Sequence, residues 1–457
     1  MSVPAAGTPE RRPLPPPEET GLVTSLTHEG EGVVHGGKTV FVAGALPGER
    51  IRFRRTRRRR QHDEAQLLEV LEASAARVSP HCPHFGVCGG CALQHLEPAA
   101  QLSAKESELR SALERVGRVA PQRWLAPLCG PVFGYRRRAR LGVKFVRKKG
   151  CVVVGFRERA APYVAQLHGC AVLARPAGEL ISPLAAVLNE LTIREQLPQI
   201  EVAVADNATA LVLRVLREPA PADVALLERF AATHGVRFYL QSAGIDSVRA
   251  LGEPAEALYY RLPRFDLRLE FAPTDFIQVN GPVNEALVAR AVEMLGLGAQ
   301  ARVLDLFCGL GNFTLALARH AQEVVGVEAQ ATLIERARAN AQLNSIGNAH
   351  FHLANLAAPL ADLSCLRRHY THVLLDPPRT GAREVLGTVA ALAPQRVLYI
   401  SCHPGSLARD LGVLVHEHGM TLEAAGVVDM FPHTAHVESL ALLSAAEPRG
   451  EAAASLA

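Results

Sequence analysis

The chain has 457 residues, of which 48% are apolar, enough for two or three domains with cores of their own. No uncharged apolar run reaches the roughly 18 residues that a membrane span needs, and no secretory segment is expected, so a cytoplasmic protein is anticipated. The formal net charge of +4 is small for this length, and the nine cysteines, an odd number, argue against a disulfide framework and for metal ligation or catalysis.

In chain order, residues 1–18 are rich in Pro, Glu, Ala and Arg and read as a disordered tail. Residues 19–75 carry short strand-like pieces (22–26, 39–42, 50–54, 64–71) between glycine-rich turns, the pattern of a small β-barrel or sandwich. Within them Arg52 to Arg60 is a dense basic run, followed later by Tyr135 to Arg140 and Arg147 to Lys149. Such clusters suit a phosphate backbone, and the bland alternative is a solvated charged face.

Residues 76–270 form the next block. It opens with a cysteine-rich loop, His81 to Cys91, and a helix expected over 99–117, then alternates short apolar runs with turns, a mixed and mostly antiparallel arrangement. Cys82, Cys88, Cys91 and the distant Cys170 make four candidate ligands, and their spacing fits either zinc or an iron–sulfur cluster. From about Phe276 the pattern becomes a regular alternation of helix and strand, which predicts a doubly wound parallel sheet over 271–445, with 446–457 a flexible tail. No repeat of solenoid period is present.

Four strand ends in that last block carry chemistry. Val303 to Thr314 reads as strand, glycine loop and helix, where Gly309 and Gly311 permit a tight turn and close backbone approach. Thr314 stands where a dinucleotide loop has its third glycine, so a pyrophosphate fits less well. Glu328 ends the next strand, 23 residues after Asp305, placed to accept both ribose hydroxyls. Together these resemble the S-adenosylmethionine site of class I methyltransferases. A third strand ends at Asp376-Pro377-Pro378-Arg379, where the prolines hold Asp376 extended. A fourth ends at Ser401-Cys402-His403-Pro404, offering a nucleophile, although an isolated cysteine is more often a buried structural thiol. Asp429 to Ser439 adds an acid with little helical or strand logic of its own.

The S-C-x-P cysteine, the D-P-P-R turn, the F-P-H-T-x-H-x-E-S segment and Phe276 to Asn280 together resemble the RNA uracil-C5 methyltransferase family over nearly the whole chain after the tail. The resemblance implies a class I, Rossmann-like methyltransferase domain preceded by an OB-like TRAM barrel and a central iron–sulfur domain. It implies Cys402 as nucleophile, Glu438 as proton acceptor, and Gln278, Phe307, Asn312, Glu328, Asn355 and Asp376 around S-adenosylmethionine and the base. His403 departs from the family, which usually has Asn there. The setting of Cys170 resembles the ribosomal-RNA branch, which implies a [4Fe-4S] cluster on Cys82, Cys88, Cys91 and Cys170 and 23S ribosomal RNA, expectedly at uracil 1939, as partner. No membrane or obligate protein partner is called for. The alternatives are a tRNA or other rRNA uracil methyltransferase, which the barrel and cysteine set disfavour, and a catalytically vestigial RNA-binding assembly factor.

Overall fold

The computed structural model describes residues 17–159, 161–252, 256–358 and 364–445, so the tails expected at 1–18 and 446–457 lie, but for residues 17 and 18, outside the described residues. The chain divides into two compact units, 17–79 with 95–97, and the remainder. The blocks expected at 76–270 and 271–445 fall, from Pro80 on, almost wholly within the second unit. Among the described residues no helix is long and apolar enough to cross a membrane.

In the first unit β1 (Glu18–Leu26), β2 (Gly32–Val34), β3 (Thr39–Ala43), β4 (Arg50–Arg58) and β5 (His62–Glu72) close into a barrel in the order β1-β2-β3-β5-β4. Period-two alternation explains it: Ile51 and Phe53 point into a core with Val23, Val40 and Val42, while Arg50 and Arg52 point out. Three-residue β2 was too short to show a period. The basic run is less basic than its sequence. Arg52 pairs with Glu18 and Glu69, Arg54 with Glu18, Arg55 with Glu19 and Asp63, and Arg59 with Glu64. The barrel thus brings acids from β1 and β5 beside β4, which no linear reading of the arginines reveals.

The second unit begins with α1 (Pro98–Ala112), which runs into one π-helical turn, 113–117, and β6 (Arg123–Trp124). Next comes a six-stranded sheet, made of β7 (Arg138–Val146), β8 (Cys151–Gly155), β9 (Gln199–Val204), β10 (Thr209–Arg214), β11 (Val236–Gln241) and β12 (Val248–Ala250) in the order β12-β11-β10-β9-β7-β8. Helices α2 (Ile181–Glu190) and α3 (Pro221–His234) interrupt these strands. Only β10 and β11, joined through α3, pair in parallel, so the sheet is mixed and mostly antiparallel as expected. A hairpin of β13 (Leu258–Leu262) and β14 (Leu267–Phe271) follows.

The remaining elements are α4 (Gly281–Leu295), β15 (Arg302–Leu306), α5 (Thr314–Ala318), β16 (Glu323–Glu328), α6 (Ala331–Leu343), β17 (Ala349–Leu353), β18 (His372–Leu375), α7 (Arg383–Ala391), β19 (Arg396–Ser401), α8 (Pro404–His416), β20 (Thr421–Val428) and β21 (Glu438–Ser444). They build an eight-stranded sheet ordered β17-β16-β15-β18-β19-β21-β20-β6 among the described residues. Its central strands are near-continuous apolar runs because helices cover both faces. Strands β15 to β19 are parallel, as predicted. The purely parallel expectation fails at one edge, where β21 runs antiparallel between β19 and β20. The segment read as lacking strand logic therefore contains a strand, opening at Glu438. Strand β6 pairs with β20, so the region before residue 270 contributes an element to this sheet.

Candidate active site

Side chains of interest gather where β15, β16, β18 and β19 end, the edge at which open α/β sheets take ligands. After β15 the chain turns sharply: Phe307 has φ +68°, Gly309 +56° and Gly311 +99°. The left-handed conformation is strained for a phenylalanine, and its backbone N–H is secured by Val327 O at 2.9 Å. Buried Asp305 lies beneath the loop. Its Oδ2 accepts from Thr314 Oγ1 at 2.5 Å, while its Oδ1, among the described residues, has no partner. Burial, with Asp376 and Glu328 nearby, pushes its carboxyl up to about 7.

Glu328 is held by the turn that it terminates. Oε1 accepts from the N–H groups of Ala329 (2.7 Å) and Gln330 (3.0 Å), and Oε2 from Gly309 N at 3.2 Å. Asn312 is locked in a reciprocal amide pair with Asn284, each bond 2.9 Å, and accepts from Tyr260 Oη at 2.9 Å. Asn284 and Tyr260 carried no sequence signal, since both come from elements that read as packing. Gln278 is half-buried, and Phe276 beside it is 70% exposed. Asn355 is exposed beyond β17, its Oδ1 accepting from Ala357 N at 3.0 Å.

The second half of the site is built by β18, β19, α8 and β21. Ser401 pairs with Ser439 at the end of the antiparallel ladder, and Cys402 and Glu438, the next residue on each chain, lie close enough for the Glu438 charge to act on the thiol. The loop carrying Asp376 and Arg379 is fixed from α8: Asp410 Oδ2 accepts from Ala382 N (2.7 Å) and Tyr399 Oη (2.6 Å), Arg409 Nη2 donates to Thr380 O (2.9 Å), and Ser406 Oγ donates to Arg379 O (3.0 Å). His403 caps α8, its Nδ1 accepting from Ser406 N at 3.1 Å, and Pro404 occupies the first turn. An imidazole nitrogen thus does what the amide oxygen of Asn would do there. This cap and proline are the sequence signal for α8.

Electrostatics bind the three groups together. Burial first, then the nearby Glu438 and Asp376 charges, push the Cys402 thiol up to about 11, while Arg379 pulls it down. Burial and the Asp376 charge push Glu438 well above the carboxylate range, and burial pushes Asp376 up to about 7. A half-buried thiol between two unwilling carboxylates and one guanidinium is a site that favours added positive charge.

Residues 262–446 match the family described as tRNA (Uracil-5-)-methyltransferase. The 23S rRNA (uracil(1939)-C(5))-methyltransferase RlmD of Alkalilimnicola ehrlichii is 50% identical over 434 residues, covering 94% of this chain and 98% of its own length. The protein of the same name from Xylella fastidiosa is 48% identical, covering 92% and 96% respectively. The chain belongs to the RNA uracil-C5 methyltransferase family. The solved structure of Pyrococcus abyssi tRNA (uracil-54, C5)-methyltransferase in complex with S-adenosyl-L-homocysteine shares the fold, with TM-score 0.73 over 93% of this chain and 100% of that one at 23% identity.

In this uracil-C5 methyltransferase the four cysteines Cys82, Cys88, Cys91 and Cys170 are half-buried and lie within one another's field. Burial chiefly, then the other thiols, push Cys88 up to about 11 and Cys91 to about 12. Gly90 N donates to Cys88 Sγ at 3.4 Å, and Gln94 Nε2 to Cys91 Sγ at 3.2 Å. A cavity of about 770 Å³ opens beside Cys82 and Cys170, lined also by His81, His84 and Phe133. Among the described residues no group of three or more His, Cys, Asp or Glu is placed so that it could hold a metal ion.

Proposed function

We propose that this chain transfers a methyl group from S-adenosylmethionine to C5 of a uracil in 23S ribosomal RNA, at the position 1939 named for its relatives, working in the cytoplasm. The observation that carries the chemistry is the register that sets Cys402 against Glu438, with Asp376 and Arg379 alongside. The substrate RNA rests on the relatives at 48–50% identity. The tRNA enzyme shares the fold at only 23% identity, so a tRNA target is the second reading.

C5 of uracil is too weak a nucleophile unaided. The Cys402 thiolate adds to C6, forming an S–C6 bond and moving the C5=C6 electrons onto O4 as an enolate. S-adenosylmethionine supplies an electrophilic methyl on a cationic sulfur. The enolate carbon C5 takes that methyl, and the broken C–S pair remains on the departing thioether. Glu438 then accepts the C5 proton, the C5=C6 bond reforms, and the S–C6 bond breaks to return the thiolate.

The residues fit these parts. Asp305, Glu328 and the loop from Phe307 to Asn312 would hold the donor, with Gln278, Asn355 and Asp376 at its rim or bridging to the base. The unpartnered Asp305 Oδ1 is a buried acceptor waiting for a donor. A cationic ligand stabilises nearby ionised carboxylates and thiolate, opposing the upward push of burial on Asp305, Asp376, Cys402 and Glu438. Exposed Phe276 offers a stacking face for an extruded base. For the four cysteines we retain a [4Fe-4S] cluster. Their proximity and the two N–H to sulfur bonds support it, and ligands that each bind a different iron need not close around one ion. The cluster would supply structure, because the transfer above moves no net electron.

Cys402→Ala should abolish 5-methyluridine formation while S-adenosylmethionine affinity, read by calorimetry, stays within about twofold of wild type, because the thiol acts on the base rather than on the donor. Full residual methylation would refute covalent catalysis. Mapping 5-methyluridine in ribosomal RNA and tRNA from a deletion strain decides between the two substrates.

A further inference from the structure

Residues 431–433 precede Glu438 outside any helix or strand, and within their own turn Phe431 O accepts from Thr434 N at 3.3 Å and Thr434 Oγ1 at 2.9 Å. Each of their three carbonyls is taken by a different donor from earlier in the unit. Lys105 Nζ donates to Phe431 O at 2.9 Å, Tyr135 Oη to Pro432 O at 2.9 Å, and the N–H groups of Ala92 and Leu93 to His433 O at 2.9 and 3.0 Å. Ala92 and Leu93 directly follow Cys91. The cysteine loop is therefore bonded by its own backbone to the segment that delivers the proposed base.

At the junction sits Gln101, buried, on α1. Its Oε1 accepts from His433 N at 2.9 Å, and its amide nitrogen lies 3.0 Å from Leu93 O and 3.1 Å from His433 Nδ1. One side chain thus grips both partners of the joint. His433 needs gripping: its φ is +65°, its Nε2 has no partner among the described residues, and its ring is covered by Phe133 at 4.4 Å.

We propose that Gln101 is a positioning residue for methyl transfer: by clamping His433 to Leu93 it locks the segment ending in Glu438 onto the cysteine loop. This rests on Glu438 as the acceptor of the C5 proton. If so, loosening the clamp impairs the last stage of the cycle more than the first. Cys402 still adds and C5 is still methylated, but proton removal slows and the RNA remains bonded to the protein.

The test uses the whole chain with an RNA fragment containing the target uracil and radiolabelled S-adenosylmethionine. Gln101→Glu keeps size and acceptor but loses the donor, and Gln101→Met keeps length alone. Both should reduce kcat at least tenfold, lower KM for RNA with it so that kcat/KM and donor affinity stay within about twofold, and retain labelled RNA covalently on denaturing gels. Glu438→Gln is the reference. If it retains no adduct, the assignment of Glu438 fails; if it does while both Gln101 variants turn over normally, or lose turnover without adduct, the positioning role fails. Failure of both Gln101 variants to fold also overturns it, since Gln101 would then be structural.

Discussion

Cys402 shows how much a reactive residue owes to neighbours that sequence does not place. Its one helpful charge is Arg379, opposed by burial, Glu438 and Asp376. With the thiol pushed up to about 11, the thiolate fraction of the free enzyme grows with pH through the working range. kcat/KM for RNA should therefore rise about tenfold per pH unit between 7 and 9. Arg379→Ala removes the lowering influence, so its thiol titrates higher still and its rate should be lower by a constant factor at every pH in that window, with Arg379→Lys recovering most of the loss. A flat wild-type profile would show instead that the thiol loses its proton only after RNA binds. Individual site residues were legible in the sequence where a motif isolates them at a strand end, as for Cys402, Asp376 and Glu328. Asn284, Tyr260 and Gln101 were not, because a polar residue on a helix or in a hairpin announces nothing until its partner, dozens to hundreds of residues away, is in view.

Among the elements, α8 holds the most together: its first turn follows Cys402, and Ser406, Arg409 and Asp410 pin the Asp376–Ala382 loop. His403→Ala deletes the cap and should lower stability by about 0.5–2 kcal/mol by chemical denaturation. His403→Asn should restore it, because an amide oxygen can accept from Ser406 N as the imidazole does. Equal stability of the Ala and Asn variants would show that the cap is not what secures α8. Strands β15, β18 and β19 were readable from their apolar runs and the motifs at their ends. Strand β21 was not, because the turn residues Pro432 to His436 leading into it hid the apolar run that begins after Glu438. Its antiparallel insertion beside β19 is long-range pairing, to which local pattern is blind.

For the molecule as a whole, charge and chain order matter most. Acids of β1 and β5 neutralise much of the basic run, but among the described residues Arg57, Arg58 and Arg60 have no ion-pair partner. Replacing these three by Gln should reduce the slope of log affinity for RNA against log salt by about 2, near 0.7 per phosphate contact. Substituting Arg52 or Arg54, already paired with Glu18, should change it little. An unchanged slope in the triple variant would remove the barrel from the RNA interface. Composition and run length exposed the basic stretch but could not tell spent charges from available ones. Finally, β21 follows every other strand of its sheet in sequence yet lies inside it, between β19 and β20. As the polypeptide emerges from the ribosome, Cys402 appears before Glu438, and a gap beside β19 has to wait for the last strand. A chain that ended at residue 430 would carry Cys402 and the glycine loop but lack the carboxylate proposed to take the pyrimidine's proton, so the last strand supplies the half of the site that the proposed release step needs.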